Sequence, residues 1–345
     1  MRAVEADAEY DLLDPRDGAR VGRQRARAVF DAMVEGAWRS GDPGYVVLDR
    51  INASGSNPTP ALGRIESTNP CGEQPLLPWE PCNLGSLNLS NFVSPAGRFD
   101  FPRLKETAAL ALRFLDDVIE VNDYPLPEVE ALAKGNRRVG LGVMGWAEAL
   151  VKLGVAYDSP EALAAADRLM SFVNGASRDA SEALALERGA FPNWSGSIFD
   201  PASPHFRGEE SRPRHCARTT IAPTGTIALA AGLQGGGIEP FFALVYTRYN
   251  ARALEAVKAG REPDARDVLL EVNPLLRAEA EKRGWFGLDP AQLWRRIAAN
   301  RQSLRGLEEI PEDVRRLFVC AHDVSPETHV RMQAAFQRHV DNGVS

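Results

Sequence analysis

The sequence predicts an α/β fold built around a parallel sheet or barrel. Short apolar runs of strand length alternate with longer helix-periodic segments, and Gly/Pro/Asp clusters punctuate the boundaries. No internal repeat and no low-complexity tract suggests another architecture. The composition, 44% hydrophobic and 25% charged, is that of a globular chain. Its 345 residues suffice for one large α/β domain or two smaller ones.

The elements follow in order. Glu9 to Leu13 is strand-like and has nothing before it to pair with. Residues 22 to 39 are helix-periodic through Ala26, Val29, Phe30, Met33, Val34, Ala37 and Trp38, and Gly-Asp-Pro-Gly then marks a turn. Tyr45 to Leu48 reads as a short buried strand, followed by a polar loop. Helices are expected over 100–121, 144–154 and 160–188. Residues 218–233 read as strand, turn and helix, and 238–248 holds a further strand. The last hundred residues read as helical. They include a good helix start at Ser325-Pro326-Glu327: a capping serine, a proline at the first position and an acid near the positive end of the helix dipole.

The net charge of −7 argues against broad binding to nucleic acid or to an anionic membrane, and leaves room for a local basic pocket for phosphate. No 18-residue apolar run suggests a membrane span, and the acidic first segment lacks the apolar core of a secretory signal. Four cysteines in such a chain point to reduced thiols with chemical or packing roles and to a cytoplasmic setting.

The densest chemistry lies in STNPCGEQPLLPWEPCNLGSLNLSNF, residues 67–92. Pro70 and Pro75 restrict Asn69 and Gln74 to extended geometry. In an extended segment Asn69, Cys71 and Glu73 line one face, with Gly72 allowing close backbone approach. An amide, a thiol and a carboxylate then converge on one small volume. The bland alternative is a buried filler cysteine in a loop. Cys82 follows eleven residues later beside Leu84, Leu87 and Leu89, a spacing that does not suit a zinc knuckle. A redox role for one cysteine and a radical or nucleophilic role for the other fits better.

These residues resemble the finger loop of ribonucleotide reductases, most closely the adenosylcobalamin-dependent class II enzymes. NRRVGLGVMGWAEAL (136–150), RTTIAPTGTIALAAG (218–232), GIEPFFALVYTR (237–248) and VSPETHVRMQAAFQRHVDN (324–342) resemble further blocks of that family in the same order. The resemblance implies the C-terminal half of a ten-stranded α/β barrel with its finger loop. It makes residues 1–345 a partial catalytic barrel domain truncated at both ends, without the cysteine that partners Cys82 and without the C-terminal cysteine pair. Cys71 matches the carrier of a transient thiyl radical. Glu73 matches the carboxylate that takes the 3′-OH proton, and Asn69 the amide that orients them. Cys82 matches one member of a redox pair. Ala222-Pro223-Thr224-Gly225-Thr226 matches the turn that binds the substrate phosphates, and its hydroxyl-rich strand-to-helix junction reads as an anion site in its own right. The implied activity is thiyl-radical reduction of ribonucleotides, with diphosphates favoured, for DNA synthesis. Adenosylcobalamin is the implied cofactor and a thioredoxin-like or dithiol partner the implied reductant; the full-length enzyme is compatible with a homodimer.

Other features carry less. Gly140-Leu-Gly142-Val-Met-Gly145 matches a dinucleotide fingerprint but does not follow an apolar strand, so close helix packing through its glycines is the better account. Cys216 and Cys320 read as packing thiols, and Thr219 and Thr220 as strand residues rather than ligands. None of the five histidines pair at i and i+4, so no helical metal site is expected. His329, Met332, Phe336 and Val340 share a core-facing helix stripe, and Gly235–Gly237 reads as a flexible turn. The rival readings are the large subunit of a class I reductase, a non-catalytic fragment that only binds nucleotide, and a nicotinamide dehydrogenase.

Overall fold

A computed structural model describes residues 1–208 and 210–345. The chain divides into two compact units, Met1–Val47 and Leu48–Ser345.

The first unit is a short helical turn α1 (Arg2–Glu5), an antiparallel hairpin of β1 (Glu9–Leu13) and β2 (Arg20–Arg25), and helix α2 (Ala26–Ser40). The strand expected at Glu9 therefore pairs with residues that follow it. The helix expected from residue 22 begins only at Ala26, because Gly22 to Arg25 belong to β2. Gly41, at φ +85°, ends α2 in the left-handed conformation that glycine tolerates best. The strand expected at Tyr45–Leu48 is absent: Tyr45, Val46 and Val47 are exposed and unpaired, and Leu48 opens helix α3 (Leu48–Ala53) of the second unit.

The second unit is organised by four parallel chain segments. A small hairpin, β3 (Ser67–Thr68) and β4 (Pro75–Leu76), precedes β5 (Asn83–Asn88), and β6 (Val139–Met144) runs parallel to β5 over six residue pairs. Leu141 bridges Thr219 in parallel, and Ile221 bridges Val344. The spatial order is thus β5, β6, 219–221 and 342–345. Helices α4 (Phe101–Val121) and α5 (Pro127–Asn136) fill the crossover between β5 and β6. Helices α6 (Trp146–Leu153) and α7 (Pro160–Arg188) fill the next one, as parallel pairing requires.

The helix starts are chemical. Asp100 accepts from Arg103 N at 3.1 Å to open α4, and Ser159 accepts from Ala162 N at 3.1 Å to open α7, with Pro160 at the first helical position. The remaining elements are α8 (Gly225–Ala230), β7 (Val245–Tyr249), α9 (Ala251–Lys258), β8 (Val268–Val272), α10 (Pro274–Lys282), α11 (Pro290–Ala299), α12 (Glu312–Leu317) and α13 (Pro326–Gln337). Helix α13 carries the expected Ser325 cap, which accepts from Thr328 N at 3.2 Å. Strand β8, an apolar run inside the stretch expected to be helical, pairs antiparallel with β7.

Period-two alternation sorts the sheet's side chains. Leu87, Val139, Leu141, Val143, Ile221 and Val344 face a helical layer in which α4, α7 and α13 contribute Leu112, Met170, Val173, Met332 and Phe336. The opposite face is left open to the β3–β4 hairpin by Gly140 and Gly142. A Cβ on Gly142 would lie 2.2 Å from Thr220 O, and one on Gly140 would lie 2.6 Å from the Gln74 side chain. The glycines of the apparent dinucleotide fingerprint thus lie inside a buried strand and serve strand and hairpin packing, not the helix packing expected. A second core gathers Phe241, Leu244, Val272, Leu276, Trp294, Ile297 and Phe318 around β7, β8, α10 and α11.

One buried ion cluster ties the helical layer together. The Asp116 carboxylate on α4 receives Arg137 Nη2 at 2.6 Å, Arg188 Nη1 at 2.8 Å and His215 Nε2 at 3.1 Å. Burial works to raise the Asp116 pKa, but the hydrogen bonds from His215 and Arg137 outweigh it and hold the carboxyl well below the usual range.

Candidate active site

The Asn69–Glu73 stretch is a turn, not the extended ribbon expected from its prolines. Gly72 N donates to Asn69 O at 3.0 Å, and Asn69 N donates to Gln74 O at 3.1 Å, which closes the β3–β4 hairpin. Pro70 takes the second turn position and Gly72 has φ +86°. The proline constraint was read as extension, but a proline at that position equally starts a turn. Asn69 Oδ1 accepts from Gln74 N at 2.9 Å, so its amide is part of the turn's own clamp.

As a result the three residues do not share a face. Cys71 stands exposed at the hairpin tip, and Glu73 is 1% exposed directly behind it. Glu73 O accepts from Thr220 Oγ1 and from Gly343 N, each at 2.8 Å, which fastens the hairpin to the third and fourth parallel segments. The Glu73 carboxylate is treated differently: Oε2 is buried without a hydrogen-bond partner, and so are both polar atoms of the Gln74 side chain. A buried carboxylate oxygen with no donor is costly in a finished structure and is explained where a ligand donor arrives.

Cys82 lies at the start of β5, half-buried beside a cleft of about 200 Å³ lined by Asn83, Val118, Ile119, Tyr124 and Arg138. Burial pushes its thiol up to about 12; Arg138 opposes that shift, and Glu80 and Glu73 add to it. Beneath it, Arg138 Nε donates to Glu80 Oε1 at 3.0 Å and Arg138 Nη1 donates to Asn342 Oδ1 at 2.6 Å. Asn136 Nδ2 and Leu77 N complete the Glu80 carboxylate at 2.6 and 3.0 Å.

Of the turn Ala222-Pro223-Thr224-Gly225-Thr226, Ala222 and Thr224 are buried, and Gly225 and Thr226 are exposed at the start of α8. Thr224 adopts φ +58°, and its hydroxyl accepts from Gly237 N at 2.7 Å. The Gly235–Gly237 segment is not the flexible turn expected. Cβ atoms on Gly236 and Gly237 would sit 2.5 and 2.8 Å from the carbonyls of Pro223 and Ala222. In addition, Glu148 Oε1 accepts from Gln234 N at 2.7 Å and Gly235 N at 2.9 Å. A cleft of about 330 Å³ opens over this turn, lined by Pro223, Gly225, Glu239, Tyr246 and Arg248.

Thr219 and Thr220 are strand residues, and their hydroxyls bind structure: Thr219 Oγ1 accepts from Asp341 N at 2.9 Å. Cys216 and Cys320 are buried among apolar side chains, and burial pushes both thiols up, that of Cys320 to about 12. Among the described residues no group of three or more His, Cys, Asp or Glu side chains is arranged to hold a metal ion. No helix among them is long and apolar enough to cross a membrane. Sequence reasoning overlooked Glu80, Arg138, Glu148 and Gly343. The only signal for Arg138 was two arginines set directly against six apolar-strand residues, with an unassigned glutamate near the second cysteine.

The comparisons with known proteins agree with this arrangement. The family model for the ribonucleotide reductase barrel domain matches residues 1–345. A vitamin B12-dependent ribonucleoside-diphosphate reductase of Thermoplasma acidophilum is 44% identical over 344 residues, covering 99% of this chain and 41% of that protein. One of Mycobacterium tuberculosis is 46% identical over 345 residues, covering 100% of this chain and 46% of that protein. The chain thus spans less than half the length of these relatives. The class Id ribonucleotide reductase alpha subunit of Actinobacillus ureae superposes over 92% of this chain and 54% of its own, with a TM-score of 0.70 at 22% identity. The parallel segments with the hairpin on one face and helices on the other are therefore part of a known barrel, and this chain belongs to the ribonucleotide reductase barrel-domain family.

Proposed function

We propose that this barrel segment carries the radical-site chemistry of an adenosylcobalamin-dependent ribonucleoside-diphosphate reductase. The observation that carries the reading is the hairpin: a thiol at an exposed tip, with a buried carboxylate oxygen lacking a donor behind it. In this reading residues 1–345 are a partial catalytic barrel domain of a longer reductase.

The Cys71 sulfur, as a thiyl radical, takes the hydrogen atom from the ribose 3′ carbon; S–H and this C–H are close enough in strength for the transfer to reverse. Glu73 accepts the 3′-OH proton through the oxygen that has no protein donor, which assists loss of the 2′-OH as water. Asn69 holds the turn that presents both groups. Cys82 supplies reducing electrons as one half of a dithiol that ends as a disulfide, and an external dithiol, thioredoxin-like or small, restores it. The turn from Ala222 to Thr226 takes the substrate phosphates, where Pro223 and exposed Gly225 border the cleft containing Arg248.

Adenosylcobalamin would supply the organic radical that removes the Cys71 hydrogen atom. The exposed hairpin tip fits a thiol that must be met by a large group from outside. Of the four cysteines, Cys71 is the exposed one. The names of the two relatives support this cofactor over a separate radical-generating subunit. A homodimer of the whole enzyme and a cytoplasmic setting complete the reading.

The test uses a complete reductase polypeptide carrying these 345 residues. Cys71→Ser is expected to abolish both deoxynucleotide formation and exchange of the 3′ hydrogen with adenosylcobalamin present. Retained exchange in that variant refutes the assignment. Turnover without adenosylcobalamin refutes the cofactor.

A further inference from the structure

Arg138 is used by none of the steps above, yet its side chain is fully buried and borders the Cys82 cleft. Its guanidinium is held rigidly: Glu80 accepts its Nε, Asn342 accepts its Nη1, and the Glu80 carboxylate is itself fixed by Asn136 and Leu77 N. A buried ion pair of this kind is a poor source of stability compared with apolar packing of the same volume. Its position at the wall of a cleft that opens on a cysteine suggests another use.

We propose that Arg138 is a positioning residue for the chemistry at Cys82: clamped by Glu80 and Asn342, its cation stabilises negative charge on the Cys82 sulfur, and Glu80 sets how much of it the sulfur feels. The inference deepens the proposed function, since it gives the redox cysteine an electrostatic control. When a dithiol reduces a disulfide at Cys82, its thiolate attacks the partner sulfur and the S–S bond breaks, leaving the electron pair on the Cys82 sulfur. The second thiol of the reductant then closes its own disulfide and releases the partner cysteine, and the two protons of the dithiol end on the two freed cysteines. The transient Cys82 thiolate forms at the wall of the cleft that Arg138 also lines.

The charged and titratable groups that act on Cys82 come from every neighbouring element. Arg138, at the start of β6, favours the thiolate; Glu80 and Glu73, on the segments before β5, disfavour it. Tyr124, after α4, lines the same cleft, and Cys216, before the third parallel segment, also interacts with the Arg138 charge. Removing the charge on Glu80 while keeping its shape therefore leaves Arg138 the dominant charge on the sulfur, opposed among these carboxylates by Glu73 alone.

The test is the pH profile of alkylation at Cys82, read by peptide mass spectrometry on a complete reductase polypeptide carrying these 345 residues. Glu80→Gln is expected to raise the Cys82 rate at pH 8 by about tenfold, the effect of one unit of thiol pKa. Adding Arg138→Met to Glu80→Gln is expected to return the rate to the parent value or below it. Protection of the buried Cys216 reports that the fold is kept. An unchanged rate in Glu80→Gln, or equal rates in the single and double variants, overturns the proposal. Should the double variant fail to fold, Glu80→Gln alone decides. The reading of Cys82 as the redox cysteine fails separately, if Cys82→Ser in the complete reductase retains dithiol-dependent turnover.

Discussion

Replacing Gly142 by alanine is the sharpest test of how β6 meets the third parallel segment. The added Cβ would sit 2.2 Å from Thr220 O, a backbone atom that no rotamer change can move. Restoring an ordinary contact of 3.4 Å moves the two backbones apart by about 1.2 Å. Three hydrogen bonds join them there: Val139 N to Ala217 O at 3.1 Å, Leu141 N to Arg218 O at 2.7 Å and Thr220 N to Leu141 O at 3.2 Å. A shift of that size carries all three beyond hydrogen-bond range. At roughly 1 kcal/mol each, Gly142→Ala is expected to cost about 3 kcal/mol. The control is Gly175→Ala within α7, where a Cβ meets nothing within 4 Å; there a gain of up to about 1 kcal/mol is expected from helix propensity. Urea unfolding followed by circular dichroism measures both. A loss under about 1 kcal/mol for Gly142→Ala would refute the reasoning, because it would mean that the strands separate without giving up their ladder.

Three further outcomes follow from the same geometry. Thr220→Val removes the hydroxyl that donates to Glu73 O or Gly343 O, each of which keeps a backbone donor, so a loss of about 1 kcal/mol and faster amide exchange over residues 69–76 are expected, with Thr220→Ser near neutral. The Asp116 pKa is depressed in the fold. Its contribution is therefore complete above the unfolded value of about 3.9 and lost as the pH falls below it. Asp116→Asn should cost about 3–5 kcal/mol at pH 7, by leaving Arg137 and Arg188 without their carboxylate, and should flatten the acid limb of the stability curve. Cys216→Ala and Cys320→Ala are each expected to cost about 1 kcal/mol by thermal unfolding while leaving turnover of a complete reductase unchanged; loss of turnover in either would contradict a packing role.

The helices were legible because their signals are local. Ser159 with Pro160, Ser325 with Pro326 and the apolar spacing through α4 state their elements within a few residues. The strands were less legible. β6 is buried on both faces, so Val-Gly-Leu-Gly-Val-Met shows no polar alternation and its glycines imitate a nucleotide turn. Tyr45–Val47 has strand composition but no partner, and β8 was hidden among helices until its pairing with β7 was seen. The site divides in the same way. Asn69, Cys71, Glu73 and Cys82 lie within fourteen residues and were found together. Arg138, Thr220 and Gly343 reach the site only through tertiary contacts, and no window of sequence holds them with the hairpin.

The clamp on Glu73 O has a consequence in time. Its two donors are Thr220 and Gly343, and the second is made some 270 residues after Glu73 itself. At a synthesis rate of about 5–20 residues per second, the hairpin waits on the order of 15–50 s for that donor to be polymerised. During that interval Thr220 is the only one of the two donors to Glu73 O that can be in place. The reactive tip therefore acquires its working rigidity only as the last of the four parallel segments is laid down, so an unfinished chain holds the thiol but not the frame that aims it.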